Sequence, residues 1–200
     1  MVFRLNHNIS TQITLKKSDF ITQLYRVFTY EEIQNILKQV HKEHPKATHI
    51  CTAYRIHEKE QSNDDGEPAG TAGQPMMEAL RKKDVSDILA IVIRYYGGIP
   101  LGASGLSRAY RSCVSDALNS AHLNPLVYVT HLSVEIPLNY ADDVLNQIPK
   151  LGSLVERQFG DVLTLTLQSE HDISDRLNQI TKGHIAFLSK KQLWIEKTSK

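Results

Sequence analysis

Hydrophobic and polar residues alternate in two stretches near the start of the chain, around residues 11–15 and 20–27. A period of two places every second side chain on one face of a strand, so these stretches predict a strand pair with a turn near Lys17. Residues 48–57 predict a further strand. The run DILAIVIRYY at residues 87–96 is the most apolar of the predicted strands, and we expect it at the centre of a sheet.

Segments in which apolar residues recur at helical spacing lie between these strands. Thr29 and Glu32 form a capping box ahead of an apolar stripe, which predicts a helix that begins after Thr29. Residues 58–70 are polar, acidic and turn-forming, and they predict a loop. Thr71 is then expected to cap a helix over residues 74–82.

The pattern starts afresh at Asn124-Pro125. Beyond it, the predicted order is strand, helix, strand, strand, helix, strand, which is the order of a ferredoxin-like domain. Asn139 and Asp172 are the expected N-caps of its two helices. We therefore predict an α+β protein of two α/β two-layer domains, residues 1–123 and 124–200. The predicted strands of the second domain are 126–136, 154–159, 162–167 and 184–195.

Composition narrows the range of functions. Two hundred residues with 41% hydrophobic content can bury a core, and a formal charge of +1 excludes a generally basic nucleic-acid coat. Cys51 and Cys113 are far apart and fit neither a disulfide framework nor a zinc spacing, which favours a reducing compartment and predicts a cytoplasmic protein. We expect no membrane association, because no run approaches the roughly 20 apolar residues that span a bilayer.

The segment RYYGGIPLGASGLSRAYR at residues 94–111 carries the strongest functional signal. Its glycines let backbone amides approach a ligand, and the helix that follows adds unpaired N–H donors and a positive dipole end. The spacing matches neither the dinucleotide fingerprint nor a P-loop, and a tight strand-to-helix turn is the alternative. The predicted phosphate- or RNA-binding residues are Arg94, Gly97, Gly98, Gly102, Gly105, Arg108 and Arg111.

The acidic loop, which we define by the candidates Asp64, Asp65, Glu67 and Thr71, is the second unusual element. On a functional interpretation its carboxylates hold a hydrated Mg²⁺ or act as a general base beside a phosphate. On a structural interpretation they orient Arg94 and Arg108 through charge-assisted hydrogen bonds, and no cofactor is involved. The structural interpretation is favoured, because no histidine or cysteine is adjacent to complete a catalytic set.

The predicted strand at 48–57 places His49, Cys51, Arg55 and His57 on one face. This face either contacts a ligand or forms a partly buried polar cluster. A nucleophilic Cys-His pair is less favoured, since no orienting acid is evident. The histidines show no metal-binding spacing, and we predict no metal site.

Three motifs carry a family resemblance: HICTAYR at 49–55, SNDDGEPAGTAGQP at 62–75 and RYYGGIPLGASGLSRAY at 94–110. Together they closely resemble the IMPACT/YigZ family, and the resemblance covers residues 18–122 almost continuously. The second domain is similar in order and position to the small module that follows in bacterial members.

The resemblance implies a first domain like domain 2 of ribosomal protein S5 and a second like the last domain of elongation factor G, both of which meet RNA. Family members with accessory domains regulate translation. We therefore expect a translation-associated regulatory or binding protein that engages RNA or a ribosomal surface, with His49, Arg55 and Tyr96 extending the contact. A protein partner in translation control is a further expectation. The alternative is a metal-assisted enzyme that acts on a phosphorylated or nucleotide-like small molecule, and a third possibility is a pure protein-interaction module.

Overall fold

The computed structural model of the chain describes residues 1–56 and 59–197. It shows a mixed α+β fold in two compact units, Met1–Pro125 and Leu126–Lys200. The predictions for His57 and Glu58 lie outside the described residues. Among the described residues, no helix is both long and apolar enough to cross a membrane.

The helices and strands have the following bounds. The strands are β1 (Phe3–Leu5), β2 (Ile9–Leu15), β3 (Ser18–Arg26), β4 (His49–Ile56), β5 (Lys59–Asn63), β6 (Val85–Ser86), β7 (Ile88–Tyr95), β8 (Leu123–Pro137), β9 (Ser153–Phe159), β10 (Val162–Ser169) and β11 (Ala186–Glu196). The helices are α1 (Tyr30–Glu43), α2 (Gly73–Lys82), α3 (Ala103–Ser120), α4 (Ala141–Leu151) and α5 (Ser174–Ile180).

The main sheet of the first unit has the antiparallel strand order β2-β3-β7-β4-β5. The prediction that residues 87–96 form a central strand is confirmed, since β7 lies between β3 and β4 and is buried from Ile88 to Arg94. The predicted strand pair is also confirmed. Its turn lies at Lys16 and Lys17, both of which have positive φ.

Helices cover both faces of this sheet, so the predicted two-layer arrangement is wrong for the first unit. Alternate residues of β7 belong to two separate apolar clusters. Ile88, Ala90 and Val92 pack with α2 and α3, whereas the intervening residues of β7 pack with Ile33 and Val40 of α1. Because β7 is apolar on both faces, each face needs its own helical cover.

The segment before α2 departs from the prediction in two ways. The predicted loop contains the strand β5, which pairs with β4 at the edge of the sheet and is largely exposed, so its polar sequence gave no hydrophobic alternation. Thr71 is not the helix cap: its hydroxyl donates to the Pro68 carbonyl at 2.6 Å, and Ala72 occupies the N-cap position. The capping box of Thr29 and Glu32 on α1, by contrast, is confirmed.

The first unit also has a small sheet in which β1 pairs with β6 and with residues 123–125 of β8. The partly buried side chain of Arg4 on β1 forms an ion pair with Asp87, which is buried at the start of β7. This pair ties the amino-terminal strand to the central strand of the main sheet.

The second unit follows the predicted order of strands and helices. Its antiparallel strands are arranged as β11-β8-β10-β9, and α4 and α5 cover one face. Asn139 is not an N-cap, because it lies in a 3₁₀ turn at Leu138–Tyr140 and α4 begins after Tyr140. Asp172 accepts a hydrogen bond from the Ser174 amide at 3.1 Å, although Ile173 is the N-cap residue of α5.

Candidate functional site

A pocket of about 350 Å³ opens in the first unit beside the carboxyl end of β7, the amino end of α3 and the acidic loop. Each of the three groups that the sequence analysis singled out contributes to it: His49 from the strand face, Arg94 from the glycine-rich segment and Glu67 from the acidic loop. The lining residues are Thr48, His49, Glu67, Pro68, Arg94, Tyr96, Pro100, Leu101, Gly102, Ala103 and Leu106.

Glu67 is the centre of a buried polar network at the base of this pocket. Its side chain is only 2% exposed, and Oε1 accepts hydrogen bonds from Arg94 Nη1 at 2.6 Å and from the Tyr110 hydroxyl at 2.7 Å. The other oxygen, Oε2, forms no hydrogen bond with any residue in the described part of the chain. Oε1 of Glu67 therefore accepts two hydrogen bonds, while Oε2 accepts none from the described residues.

Arg94 is positioned by this network rather than offered to a ligand. The residue is 5% exposed, and Nη2 donates to Ser18 Oγ at 3.4 Å. The guanidinium carbon lies over the rings of Phe20 and Tyr96, at 5.4 and 5.3 Å from their centroids. Because Glu67 neutralises it, Arg94 shapes the pocket without adding net positive charge.

Cys51 and Tyr110 complete the network as buried side chains. The Cys51 thiol lies 3.0 Å from the Asp64 carbonyl and 3.4 Å from the Tyr110 hydroxyl. Burial raises the pKa of the Cys51 thiol to about 12 and also raises the pKa of Tyr110 above its ordinary value. A thiol that stays protonated is a poor nucleophile, so the strand face forms a buried polar cluster at this point and not a Cys-His catalytic pair.

His49 faces the open oxygen of Glu67. Its Nδ1 lies 2.7 Å from the Asp65 carbonyl, and since a carbonyl only accepts, Nδ1 carries a proton. Nε2 is then 3.8 Å from Glu67 Oε2, too far for a hydrogen bond. The pocket thus presents an imidazole nitrogen and a carboxylate oxygen side by side, with room for a third atom between them.

The amino end of α3 opens into the same pocket. Gly102 occupies the N-cap position at φ +72°, a conformation that favours glycine, and no side chain of a described residue caps the helix. The first helical bond runs from the Leu106 amide to the Gly102 carbonyl, which leaves the amides of residues 103–105 without helical acceptors. Unpaired N–H groups and the positive end of an 18-residue helix form an environment suited to an anion.

Gly97 has a packing role instead of a ligand-binding one. A Cβ atom there would lie 1.7 Å from the carbonyl oxygen of Lys17, and the Gly97 amide donates to Ser18 Oγ at 3.2 Å. Gly98 and Gly105 do not line the pocket, and of the four predicted glycines only Gly102 does, within the described residues.

The carboxylates of the acidic loop serve separate partners. Asp64 Oδ1 accepts from the amides of Ala72 and Gly73 at 3.0 and 2.8 Å, and Oδ2 accepts from the Gly70 amide at 2.7 Å. Burial opposes ionisation of Asp64, but these three amides outweigh it and lower the pKa of the carboxyl. Asp65 Oδ2 accepts from the Ile50 amide at 2.6 Å. Across residues 1–56 and 59–197, no group of three His, Cys, Asp or Glu residues is placed to hold a metal ion.

The three other predicted arginines do not line the pocket, and Arg94 is the arginine found there among the described residues. Arg111 pairs with Glu78 of α2, and Arg55 Nε lies 2.8 Å from Glu60 Oε1. Arg108 is exposed and has no hydrogen-bonding or ionic partner in the described part of the chain, so the acidic loop does not orient it. Helical phase explains the miss: Arg108 is two residues beyond Leu106, which turns it about 200° away from the pocket.

Tyr96 lies at the pocket and is exposed, so it is available for stacking there. It is 47% exposed at the pocket wall, whereas Tyr110 is buried and the Tyr95 hydroxyl lies 2.8 Å from His44 Nδ1. Sequence reasoning missed the wall formed by Thr48, Pro100 and Leu101. Pro100 and Leu101 lie inside the glycine-rich segment but carry no polar side-chain group that marks a ligand site, and only the folded backbone brings them and Thr48 beside His49.

The fold and the site define a two-unit α+β protein with a pocket at the amino end of α3 in its first unit, and comparison with known proteins gives the family. The Impact N-terminal domain matches residues 16–118. IMPACT family member YvyE of Bacillus subtilis is 46% identical over 62% of this chain and 59% of its own length. An IMPACT family member of Haemophilus influenzae is 36% identical over 78% of this chain and 74% of its own length. The chain belongs to the IMPACT family.

A solved structure supports the fold along nearly the whole chain. The crystal structure of a hypothetical protein, 27% identical, aligns over 98% of both chains with a TM-score of 0.60. The match to YvyE spans about three fifths of that relative's length.

Proposed function

We propose that this chain is a translation-associated regulatory protein that binds single-stranded RNA, free or exposed on a ribosomal surface, at the amino end of α3. The observation that carries the proposal is the uncapped start of α3, whose amides open into a pocket instead of meeting a side chain of the described residues. The family resemblance supports the link with translation.

The helix end supplies the main attraction for a phosphate. Arg94 is neutralised by Glu67, so the attraction comes from the α3 amides and a helix dipole equivalent to about half an elementary charge. Arg108 adds an exposed positive charge on the second turn of the same helix, outside the pocket, as a second contact for a phosphate further along an extended strand. The phosphate site and the exposed arginine are thus two separate contacts.

Tyr96 gives the site a feature that favours unpaired nucleotides. Its exposed ring packs on the Arg94 guanidinium, and this contact leaves part of the ring open to solvent. Stacking on an aromatic ring requires a base that is not already paired, so Tyr96 favours single strands.

The same proposal includes the finer fold assignments. We assign the main sheet with α2 and α3 to the fold of ribosomal protein S5 domain 2, with α1 added on the opposite face. The strand order β11-β8-β10-β9 with two helices on one face supports a ferredoxin-like second unit, as in the last domain of elongation factor G. The metal-assisted enzyme lacks comparable support, because Asp64 and Asp65 are engaged with backbone amides.

Substitution at Ala103 tests the proposal. Ala103 is exposed, lines the pocket and is the first residue of α3. We expect Ala103→Asp to weaken binding of fluorescein-labelled oligouridine, measured by anisotropy, about tenfold or more, because a carboxylate then occupies the phosphate site. The neutral isostere Ala103→Asn is the matched control and should bind within about twofold of the unaltered protein.

A pair of arginine variants tests the second contact. Arg108→Gln should weaken binding and reduce the slope of log affinity against log salt by about one. Arg111→Gln is the matched control on the same helix and should change the slope less, because Glu78 already pairs with Arg111. Equal affinities for all four variants, with intact folding, would show that α3 does not receive RNA.

A further inference from the structure

We propose that the pocket selects RNA over DNA by receiving one ribose 2′-hydroxyl between Glu67 Oε2 and His49 Nε2, beside a phosphate at the amino end of α3. This inference rests on the proposed function and names what the site recognises. It follows from two polar atoms of the pocket that the fold leaves without partners.

Glu67 Oε2 requires a hydrogen-bond donor. The donors around this carboxylate, Arg94 and Tyr110, are both used on Oε1. Oε2 is open to the pocket, so a ligand that displaces solvent from it has to supply a hydrogen-bond donor, and a negatively charged ligand group placed against it would be repelled. The group that belongs at Oε2 is therefore a neutral donor.

His49 defines the second requirement. Its Nδ1 is held by the Asp65 carbonyl, so the ring presents Nε2 to the pocket. Nε2 accepts a hydrogen bond when the imidazole is neutral and donates one when it is charged. A hydroxyl satisfies both groups when the imidazole is charged, because it then accepts from Nε2–H and donates its one proton to Glu67 Oε2. When the imidazole is neutral, the hydroxyl still supplies the donor that Glu67 Oε2 lacks.

The distances fit a bridging hydroxyl. Glu67 Oε2 and His49 Nε2 are 3.8 Å apart, and a single oxygen atom lies within about 2.8 Å of two atoms at that separation. The pocket volume of about 350 Å³ is at the lower end of the range of about 300–1,000 Å³ for small-ligand sites, which suits one nucleotide unit. A phosphate is excluded from the Glu67 side and directed to the amides of α3.

A ribose phosphate unit has the required groups next to each other. Its 2′-hydroxyl is one carbon away from the phosphorylated 3′ position, so one sugar can address the carboxylate and the helix end together. Deoxyribose lacks the hydroxyl and would leave the Glu67 oxygen and the His49 nitrogen desolvated without partners. The 2′-hydroxyl is the group by which proteins distinguish RNA from DNA.

Three oligonucleotides with the same base test the inference on the unaltered protein. We expect oligouridine to bind at least about tenfold more tightly than oligodeoxyuridine, as expected for a site built around a hydroxyl. Oligouridine with 2′-fluorine in place of the hydroxyl should bind as weakly as the deoxy strand, because fluorine does not donate. Equal and measurable affinity for all three would overturn the inference and leave the proposed function standing, whereas no binding to any of them would overturn both.

His49→Asn tests the same contact from the protein side. The asparagine amide can still donate to the Asp65 carbonyl, so the variant preserves the local hydrogen bond while it deletes Nε2. We expect the ratio of RNA to DNA affinity to fall towards one, through loss of RNA affinity and not gain of DNA affinity. His7→Asn, at an exposed histidine in the segment between β1 and β2, is the matched control and should leave the ratio unchanged. An unchanged ratio in His49→Asn, with an unchanged melting temperature, would contradict the proposed contact.

Discussion

The amino ends of α2 and α3 both begin with backbone amides that have no helical acceptor, but only at α2 does a side chain of a described residue accept from them. Both helices follow glycine-containing segments and pack against each other on one face of the main sheet. At α2, the Asp64 carboxylate accepts from three backbone amides, at Gly70, Ala72 and Gly73. At α3, no side chain of a described residue takes that place.

The difference shows what kind of group α3 lacks. The α2 end demonstrates that, in this protein, an amino end is satisfied by an anion placed within 3.0 Å of its amides. The amino end of α3 is more exposed than that of α2 and lies beside a pocket, which supports the proposal that an anion from outside the chain binds there. The amino end of α2, the filled site, where Asp64 accepts from the amides, is thus a reference within the same protein for the uncapped amino end of α3, the open site.

The largest expected effect is a loss of stability on replacing Arg94, which supports the pocket at the amino end of α3. Replacing Arg94 by Met leaves the buried Glu67 carboxylate without its cation, and we expect a loss of about 3–5 kcal/mol in the free energy of unfolding, measured with urea. The double variant Arg94→Met, Glu67→Leu should recover much of that loss, because it removes both buried charges. A single variant as stable as the unaltered protein would show that Arg94 is not part of the scaffold and would reopen its role as a direct ligand.

The next effect concerns the filled site. Asp64→Ala should lower the free energy of unfolding at neutral pH by about 2 kcal/mol, because three amides lose their acceptor. The lowered pKa of Asp64 fixes the pH dependence: the stabilisation is present above the unfolded value of about 3.9 and is lost as the pH falls through the folded value. The difference in the free energy of unfolding between the unaltered protein and Asp64→Ala, the gap, should therefore narrow in acid. Asp64→Asn, which keeps one acceptor, should show an intermediate loss, and a gap that widened below pH ~4 would contradict the assignment.

The smallest effect concerns the stability of the open site without RNA. Ala103→Asp places a negative charge at the first turn of α3, so we expect it to raise the free energy of unfolding by about 0.3–1 kcal/mol while it blocks RNA. The gain should shrink at high salt, and Ala103→Asn should show little of it. Opposite directions for stability and binding would exclude misfolding as the cause of weaker binding. A destabilised Ala103→Asp would mean that the end of α3 is already satisfied.

The parts of the fold that depend on local signals were predictable from the sequence. The capping box of Thr29 and Glu32 and the buried run in β7 both depend on neighbouring residues, and the structure confirms them. The sequence did not predict that α1 packs on the face of the main sheet opposite α2 and α3. The hydrophobicity of a strand does not show which helix packs on which of its faces. The strand β5 was missed because an exposed polar edge strand is defined by its partner β4.

The candidate site was predictable only where chain neighbours act together. The start of α3 was identified because glycines precede an amphipathic repeat, and the pocket contains Gly102. The cap of α2 was assigned to Thr71 because caps are usually local, whereas Asp64 reaches the helix from eight and nine residues upstream of the amides at Ala72 and Gly73. Arg108 was grouped with Arg94 by proximity in sequence, which does not account for the direction of a helical side chain.

The enclosure of both cysteines has a practical consequence for studying the pocket. Cys51 and Cys113 are 0% and 2% exposed, and burial raises the pKa of each thiol to about 12. A maleimide dye should therefore leave the folded native protein unmodified at neutral pH. An added cysteine at an exposed position near the pocket rim, such as Ser104, would accept a single fluorophore and allow ligand arrival to be followed in real time without removing either natural thiol.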